Sequence, residues 1–235
     1  MTIKKHDFIE VEYTGTVKED NFVFDTTSEK VAKEKGIHNP HAQYGPSVVC
    51  VGEHQLLKGL DEGIIGKEVG KEYKIDLAPE QAFGKKSAQL LKLVPISAFK
   101  KGNTRPEVGL QIDVDGNIGI IKTVSGGRVM VDFNHPLSSK ELTYTIKINR
   151  IITDDAEKIK SMISLTLNLK KDKINVSIVS GKAMVKMLKL PEVFQKEFEK
   201  KIKEIVPTIK ELVFTENKEE KQPTSEKQPL NTSKK

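Results

Sequence analysis

The sequence predicts an α+β protein of antiparallel strands and short helices, with more than one small core. Three observations lead there. Apolar and polar residues alternate over 9–14, 73–77 and 142–148, the two-residue period of half-buried strands. Helical spacing of apolar residues is confined to short stretches around 56–64, 159–163 and 193–205. Apolar residues make up 37% of the 235, among 16 Gly and 10 Pro, which suits several small cores and a solvated tail better than one dense globule.

In the first strand Ile9, Val11 and Tyr13 face one way and Glu10, Glu12 and Thr14 the other, before Gly15. A second strand over 21–24 runs into Asp25-Thr26-Thr27-Ser28, whose side chains can start a turn or cap a helix. A short charged helix is expected over 28–36, then a loop marked by Gly36, Pro40, Gly45 and Pro46. Residues 48–51 form an apolar strand. Leu56, Leu57, Leu60 and Ile64 share one face of a short helix, with Gly66 and Gly70 at its exit. A strand over 73–77 ends at Ala78-Pro79-Glu80.

The stretch 85–132 changes character. Pro95, Pro106 and several glycines separate strand-like runs over 110–114, 118–124 and 128–131, with hairpin turns at Asp115-Gly116 and Ser125-Gly126-Gly127. That predicts a small β unit of its own, and the long alternation Leu142, Tyr144, Ile146, Ile148 closes the region. A helix then starts at Asp154, with Glu157 three residues on as a capping box. Ile174, Val176 and Ile178 pair with Ala183, Val185 and Met187 across a turn at Ser180-Gly181-Lys182. Pro191 opens another helix carrying Val193, Phe194, Phe198, Ile202 and Ile205, and 209–214 is a last strand. Residues 216–235 hold one large apolar side chain, Leu230, and are expected to be disordered.

Composition disfavours several function classes. The one cysteine, Cys50, lies in an apolar run and reads as a small core residue, so neither an internal disulfide nor a Cys-based zinc site is available. No stretch approaches the ~20 apolar residues of a membrane span. No apolar signal core follows the charged N-terminus, so a soluble, cytoplasmic protein without a membrane partner is expected. His38 and His41 stand three apart, but in a Pro/Gly loop, and no metal is expected there. Phosphate-loop spacing and a Gly-x-Ser-x-Gly elbow are both missing, and no cofactor is expected. The formal charge of +6 raises the question of nucleic acid, but no recognition motif accompanies it. That charge is uneven: 85–132 carries eight basic and four acidic side chains, and 155–215 carries thirteen and eight.

Five motifs remain, in order: Val11-Glu12-Tyr13-Thr14-Gly15; Phe24-Asp25-Thr26-Thr27; the run Val51-Gly52-Glu53-His54-Gln55-Leu56-Leu57-Lys58-Gly59-Leu60-Asp61-Glu62-Gly63; Gly66-Lys67-Glu68-Val69-Gly70-Lys71-Glu72; and Pro79-Glu80-Gln81-Ala82-Phe83-Gly84. Together they resemble the FKBP family of peptidyl-prolyl cis-trans isomerases. The break after Phe83-Gly84 and the resumption at Asp132-Phe133-Asn134-His135-Pro136-Leu137 resemble its SlyD-like branch, in which an insert-in-flap domain interrupts the isomerase fold. The region after Arg150 resembles the long archaeal members. The resemblance covers 1–153 well and 154–215 loosely. It implies an FKBP-like half-barrel sheet wrapped on a short helix over 1–84 plus 133–153. An insert-in-flap domain over 85–132, a C-terminal α+β domain over 154–215 and a tail over 216–235 complete the expected organisation.

The resemblance also implies a function: a prolyl isomerase and folding chaperone whose partners are unfolded or proline-containing polypeptides. Isomerisation needs no acid, base or nucleophile, because its barrier of roughly 18–20 kcal/mol is lost amide resonance. The twisted amide is the less polar form, so a dry apolar pocket favours it. Carried over by motif, Tyr13, Phe24, Asp25, Leu56, Leu57, Leu60, Phe83, Phe133 and Tyr144 line that pocket, and His135 and Leu137 close one side. Leu57 would offer its N–H to the peptide carbonyl, Asp25 would orient the imide, and Tyr13 could bond either. Plainer readings stand beside these: the leucines as helix packing, Tyr13 as core, Asp25 as a turn cap, His135 as a surface turn residue.

Leu60 stands where many members have Trp, and Phe83 where a Tyr would donate a hydroxyl, which should weaken macrolide inhibitors more than turnover. The tail lacks the His and Cys of nickel-binding members. The main alternative function is a catalytically weak peptide-binding module on the same fold. About half of the insert's apolar residues should form its core and the rest a client-binding patch. For 154–215, self-association and a second client surface are both open.

Overall fold

The computed structural model describes residues 1–101, 105–114 and 116–216, without the side chains of 100 and 101. Asp115 of the expected hairpin turn, and all but the first residue of the expected tail, lie outside the described residues. The chain divides into two units, Met1–Asp154 and Asp155–Lys235.

In the first unit the elements run β1 (Phe8–Val17), β2 (Val23–Thr26), α1 (Glu29–Glu34), β3 (Ser47–Cys50), α2 (Lys58–Ile64), β4 (Glu72–Leu77), β5 (Leu91–Pro95), α3 (Ile96–Lys101), β6 (Gln111–Val114), β7 (Asn117–Ser125), β8 (Arg128–Asp132) and β9 (Leu142–Ile151). The main sheet is antiparallel, in the order β2-β1-β9-β4. β3 and β2 share one edge of β1 in succession, β3 against Phe8–Val11 and β2 against Thr14–Thr16. The alternation seen in the sequence becomes one buried face: Val11 of β1, Leu77 of β4, and Leu142, Tyr144, Ile146 and Ile148 of β9. Leu60 and Ile64 of α2 complete that cluster. Gly59 and Gly63 let α2 lie close, since a Cβ at Gly59 would stand 2.8 Å from Leu77 Cδ2 and one at Gly63 3.1 Å from Ile75 Cγ2. Ser28 caps α1 by accepting the Val31 N–H.

β2 starts at Val23, two residues later than the sequence suggests. Asn21 takes a left-handed φ of 55°, and Phe22 donates its N–H to Asp20 Oδ1, so 18–22 is the hairpin turn. Between β4 and β9 the chain leaves to build a separate four-stranded sheet, in the order β5-β8-β7-β6. Its core is small: Phe99, Ile121, Val129 and Val131 are buried, with Val94, Ile96 and Ile112 packed against them. Leu90, Leu91, Leu93, Leu110, Val114 and Ile118 stay exposed. β5 and α3 are additions to the sequence reading. β5 is an edge strand with both faces largely in solvent, so it carries no clean alternation.

The second unit runs α4 (Asp155–Leu167), β10 (Asn175–Val179), β11 (Lys182–Met187), α5 (Glu192–Ile205) and β12 (Glu211–Glu216). β10 and β11 form a hairpin, and α5 carries the chain across to β12, which pairs parallel to β11. Ala183, Val185 and Met187 are buried, while Lys182, Met184 and Lys186 are exposed. Among the described residues, no helix is long and apolar enough to cross a membrane.

Candidate active site

The site grows from the middle of β1. Gly15 lies opposite Tyr144 on β9 and Asp25 on β2. Its missing side chain matters: a Cβ there would stand 2.8 Å from Phe24 Cζ and 2.9 Å from Tyr144 Cζ. The β1–β2 register slips at this point. Asp25 faces Gly15 and Val23 faces Thr16, leaving Phe24 as an unpaired bulge residue. A bulge re-aims the side chains around it, and here it turns Phe24 onto Tyr144. Thr27 anchors the turn that follows, accepting the Tyr13 N–H on Oγ1 at 2.9 Å and donating its own N–H to the Tyr13 carbonyl.

A chain of rings results. Tyr13 and Tyr144 lie 5.7 Å apart, and Phe24 meets Tyr144 edge-on at 5.8 Å. Phe83 meets Phe24 edge-on at 6.2 Å, and His135 stacks on Phe83 at 4.2 Å with the planes only 5° apart. The tilted and edge-on pairs are the arrangements that ring quadrupoles favour. Leu60, 1% exposed, belongs to the same buried cluster as Tyr144, and Leu56, Leu57 and Leu137 pack half-buried against that cluster. The loop before α2 is held by acceptors from the interior. Buried Asp61 takes the N–H groups of Gly52 and His54, and Gln55 Oε1 takes that of Cys50. This presents Leu57 at the start of α2 with its amide donating to no described group.

The opposite wall is stitched from two chain segments. Gly84, at a φ of 74°, donates its N–H to the Pro79 carbonyl. Ser138 Oγ–H donates to the Phe83 carbonyl at 3.2 Å, and the Ser139 N–H to the Gly84 carbonyl at 2.8 Å. His135 Nδ1 accepts the Leu137 N–H at 3.2 Å.

The ionisable groups sit in apolar surroundings. Burial first, then the Asp25 charge, pushes the Tyr13 hydroxyl up to about 12. Tyr144 is raised further, again chiefly by burial. Both hydroxyls therefore stay neutral donors at ordinary pH. Burial also raises Asp25 above the usual carboxylate range, against the pull of the Thr26 amide and the Tyr13 hydroxyl. Among the described residues, no three His, Cys, Asp or Glu side chains converge as a metal would require.

Ten of the eleven residues singled out from the sequence belong to this core or contact its rings, Asp25 through the Tyr13 hydroxyl and His135 through the Phe83 ring. Phe133 does not. It packs on the insert core, where a Cβ at Gly119 would stand 2.8 Å from its ring. Its N–H donates to the Leu90 carbonyl, and Lys92 Nζ lies 5.9 Å over its face. The reason is strand alternation: β8 continues in sense past Asp132, so Phe133 follows Val129 and Val131 into the insert. Asn134 points the other way and ties the two strands of the neck, accepting the Ser87 N–H and donating to the Ser87 carbonyl and to Asp132 Oδ1. Sequence reasoning missed Gly15 and Ser138. Gly15 carried a signal, as a glycine at the end of an alternating strand; Ser138 carried none.

The chain is similar to known peptidyl-prolyl cis-trans isomerases. Residues 1–101 match the FKBP-type peptidyl-prolyl cis-trans isomerase family, and residues 92–137 match the FKBP26 IF domain. A short-type peptidyl-prolyl cis-trans isomerase of Methanocaldococcus jannaschii is 36% identical over 155 residues, 66% of this chain and 98% of that protein. The FKBP-type isomerase SlyD of Haemophilus influenzae is 34% identical over 101 residues, 41% of this chain and 53% of that one. An FKBP-type 16 kDa isomerase of Escherichia coli is 31% identical over 111 residues, 45% of this chain and 74% of that one.

Proposed function

This chain belongs to the FKBP-type peptidyl-prolyl cis-trans isomerases, SlyD-like branch, and on that premise we propose how it acts on its substrates. The chain of rings packed on the core that holds Leu60, with one half-buried carboxylate at Asp25, carries the reading. A prolyl ring enters among Tyr13, Phe24, Phe83 and Tyr144. The walls exclude water, so the less polar twisted amide gains on the planar one. The Leu57 N–H takes a peptide carbonyl, fixing one side of the rotating bond while the other turns. Asp25, held by Tyr13, orients the imide end and transfers no proton.

The insert supplies the second half of the activity. Leu90, Leu91, Leu93, Leu110, Val114 and Ile118 are exposed on a domain joined to the pocket by the Asn134 neck, which supports capture of unfolded chains there. Tethering raises the local concentration of the client's prolines. The setting is the cytoplasm, where a buried thiol such as Cys50 stays reduced.

Two measurements test this. Deleting 86–131 should lower proline-limited refolding of an unfolded protein far more than isomerisation of a tetrapeptide; equal losses would sink client capture by the insert. Phe24→Ala and Asp25→Ala should each cut tetrapeptide kcat/KM at least tenfold, and near-wild-type turnover in both would remove the pocket assignment.

A further inference from the structure

We infer that His135 is a positioning residue for the isomerase reaction, which fixes the Phe83 ring by lying flat against it. The inference rests on the pocket reading above. Phe83 follows a 3-10 turn (Pro79–Gln81) and precedes Gly84 at a φ of 74°, so no regular element holds its side chain. Its ring has two neighbouring rings. Phe24 meets it edge-on at 6.2 Å, and the ring is half-buried against the core. His135, itself exposed, lies flat against the ring, 4.2 Å away and 5° from parallel.

The imidazole is itself held. Nδ1 accepts the Leu137 N–H at 3.2 Å, which restrains the ring. The His135 carbonyl accepts the Ser138 N–H, and Ser138 Oγ–H returns to the Phe83 carbonyl, so the backbones carrying both rings are bonded to each other. A restrained ring in turn restrains its neighbour. Since Phe83 is a wall against which the amide twists, its order is needed more in the transition state than in the ground state.

The test compares three variants. His135→Ala should lower tetrapeptide kcat/KM about three- to tenfold, mostly in kcat, the worth of one aromatic pair. His135→Phe, which keeps a ring but not the acceptor, should recover all but about twofold. His135→Asn, which keeps an acceptor but no ring, should resemble Ala. Relaxation dispersion on the Phe83 ring carbons should show faster exchange in the Ala and Asn variants than in the Phe variant. Recovery by Asn and not by Phe would make the residue a turn fastener and overturn the inference. So would unchanged kcat/KM in all three while Phe24→Ala still loses activity. Unchanged activity in Phe24→Ala as well would instead remove the pocket reading. Thermal unfolding of each variant separates loss of fold from loss of order, and the Phe variant serves if Ala does not fold.

Discussion

At the scale of single residues, the pocket is stabilised by what is missing as much as by what is present. Gly15→Ala puts a methyl group under 3 Å from two rings. We expect it to cost about 1–3 kcal/mol in chemical denaturation, the usual penalty for overpacking, and to lower tetrapeptide kcat/KM. Asp25 sits in the opposite balance. Burial holds its carboxyl above the ordinary value, so its ionisation works against folding as pH rises from the usual carboxylate range through its value in the native protein. Asp25→Asn should therefore melt higher than the parent near neutral pH, with the advantage fading as pH falls toward about 4, while activity drops. In the second unit Ser161, 1% exposed on α4, has a hydroxyl without a partner. Replacing it by Ala should raise stability by about 1 kcal/mol, the cost of an unsatisfied buried hydroxyl; an unchanged or lower melting temperature would show that the hydroxyl has a partner in solution.

At the scale of elements, packing overrides local preference. Gly59 lies inside α2, where propensity alone favours Ala by about 1 kcal/mol. A Cβ at this position would meet Gln81 Cβ at 2.7 Å and Leu77 Cδ2 at 2.8 Å, so Gly59→Ala should destabilise, and a stabilised variant would show that α2 can shift away from β4. The same contest explains what could be read from the chain. β1, β4 and β9 were legible because each buries one face, and a buried face writes its period into the sequence. The order of short motifs around 11–15, 24–27 and 51–63 made the pocket legible through resemblance to a family. β5 left no such trace, being an edge strand with little buried on either side. Phe133 was misplaced because a motif gives order along the chain but not the side to which a strand turns its residues. Gly15 was visible as a strand end and a motif residue but not as a site residue, since its role lies in rings contributed from residues 24 and 144.

At the scale of the whole chain, 155 residues, about the length of the first unit, match 98% of a natural short isomerase from Methanocaldococcus. A fragment of residues 1–154 should therefore unfold cooperatively and turn over tetrapeptides within about twofold of the full chain, as a stopped-flow assay would show. The uneven charge, eight basic against four acidic side chains in the insert, predicts that capture of acidic unfolded chains weakens between low and physiological salt. The interruption of the main sheet also shapes the order in which it assembles. β4 and β9 pair directly, Leu77 opposite Leu142, although about 65 residues separate them. Closing so long a loop is slow and entropically costly. The insert brings its own ends together, Leu91 opposite Asp132. Once it has formed, the span left to close shrinks to about 25 residues, which lowers the closure cost by about 1 kcal/mol. A folded insert thus acts as a chain-shortening clamp for the sheet that it interrupts. In pulsed hydrogen exchange, amides of β7 and β8 should gain protection before those of β4 and β9, and weakening the insert core at Val131 should slow refolding of the sheet it interrupts.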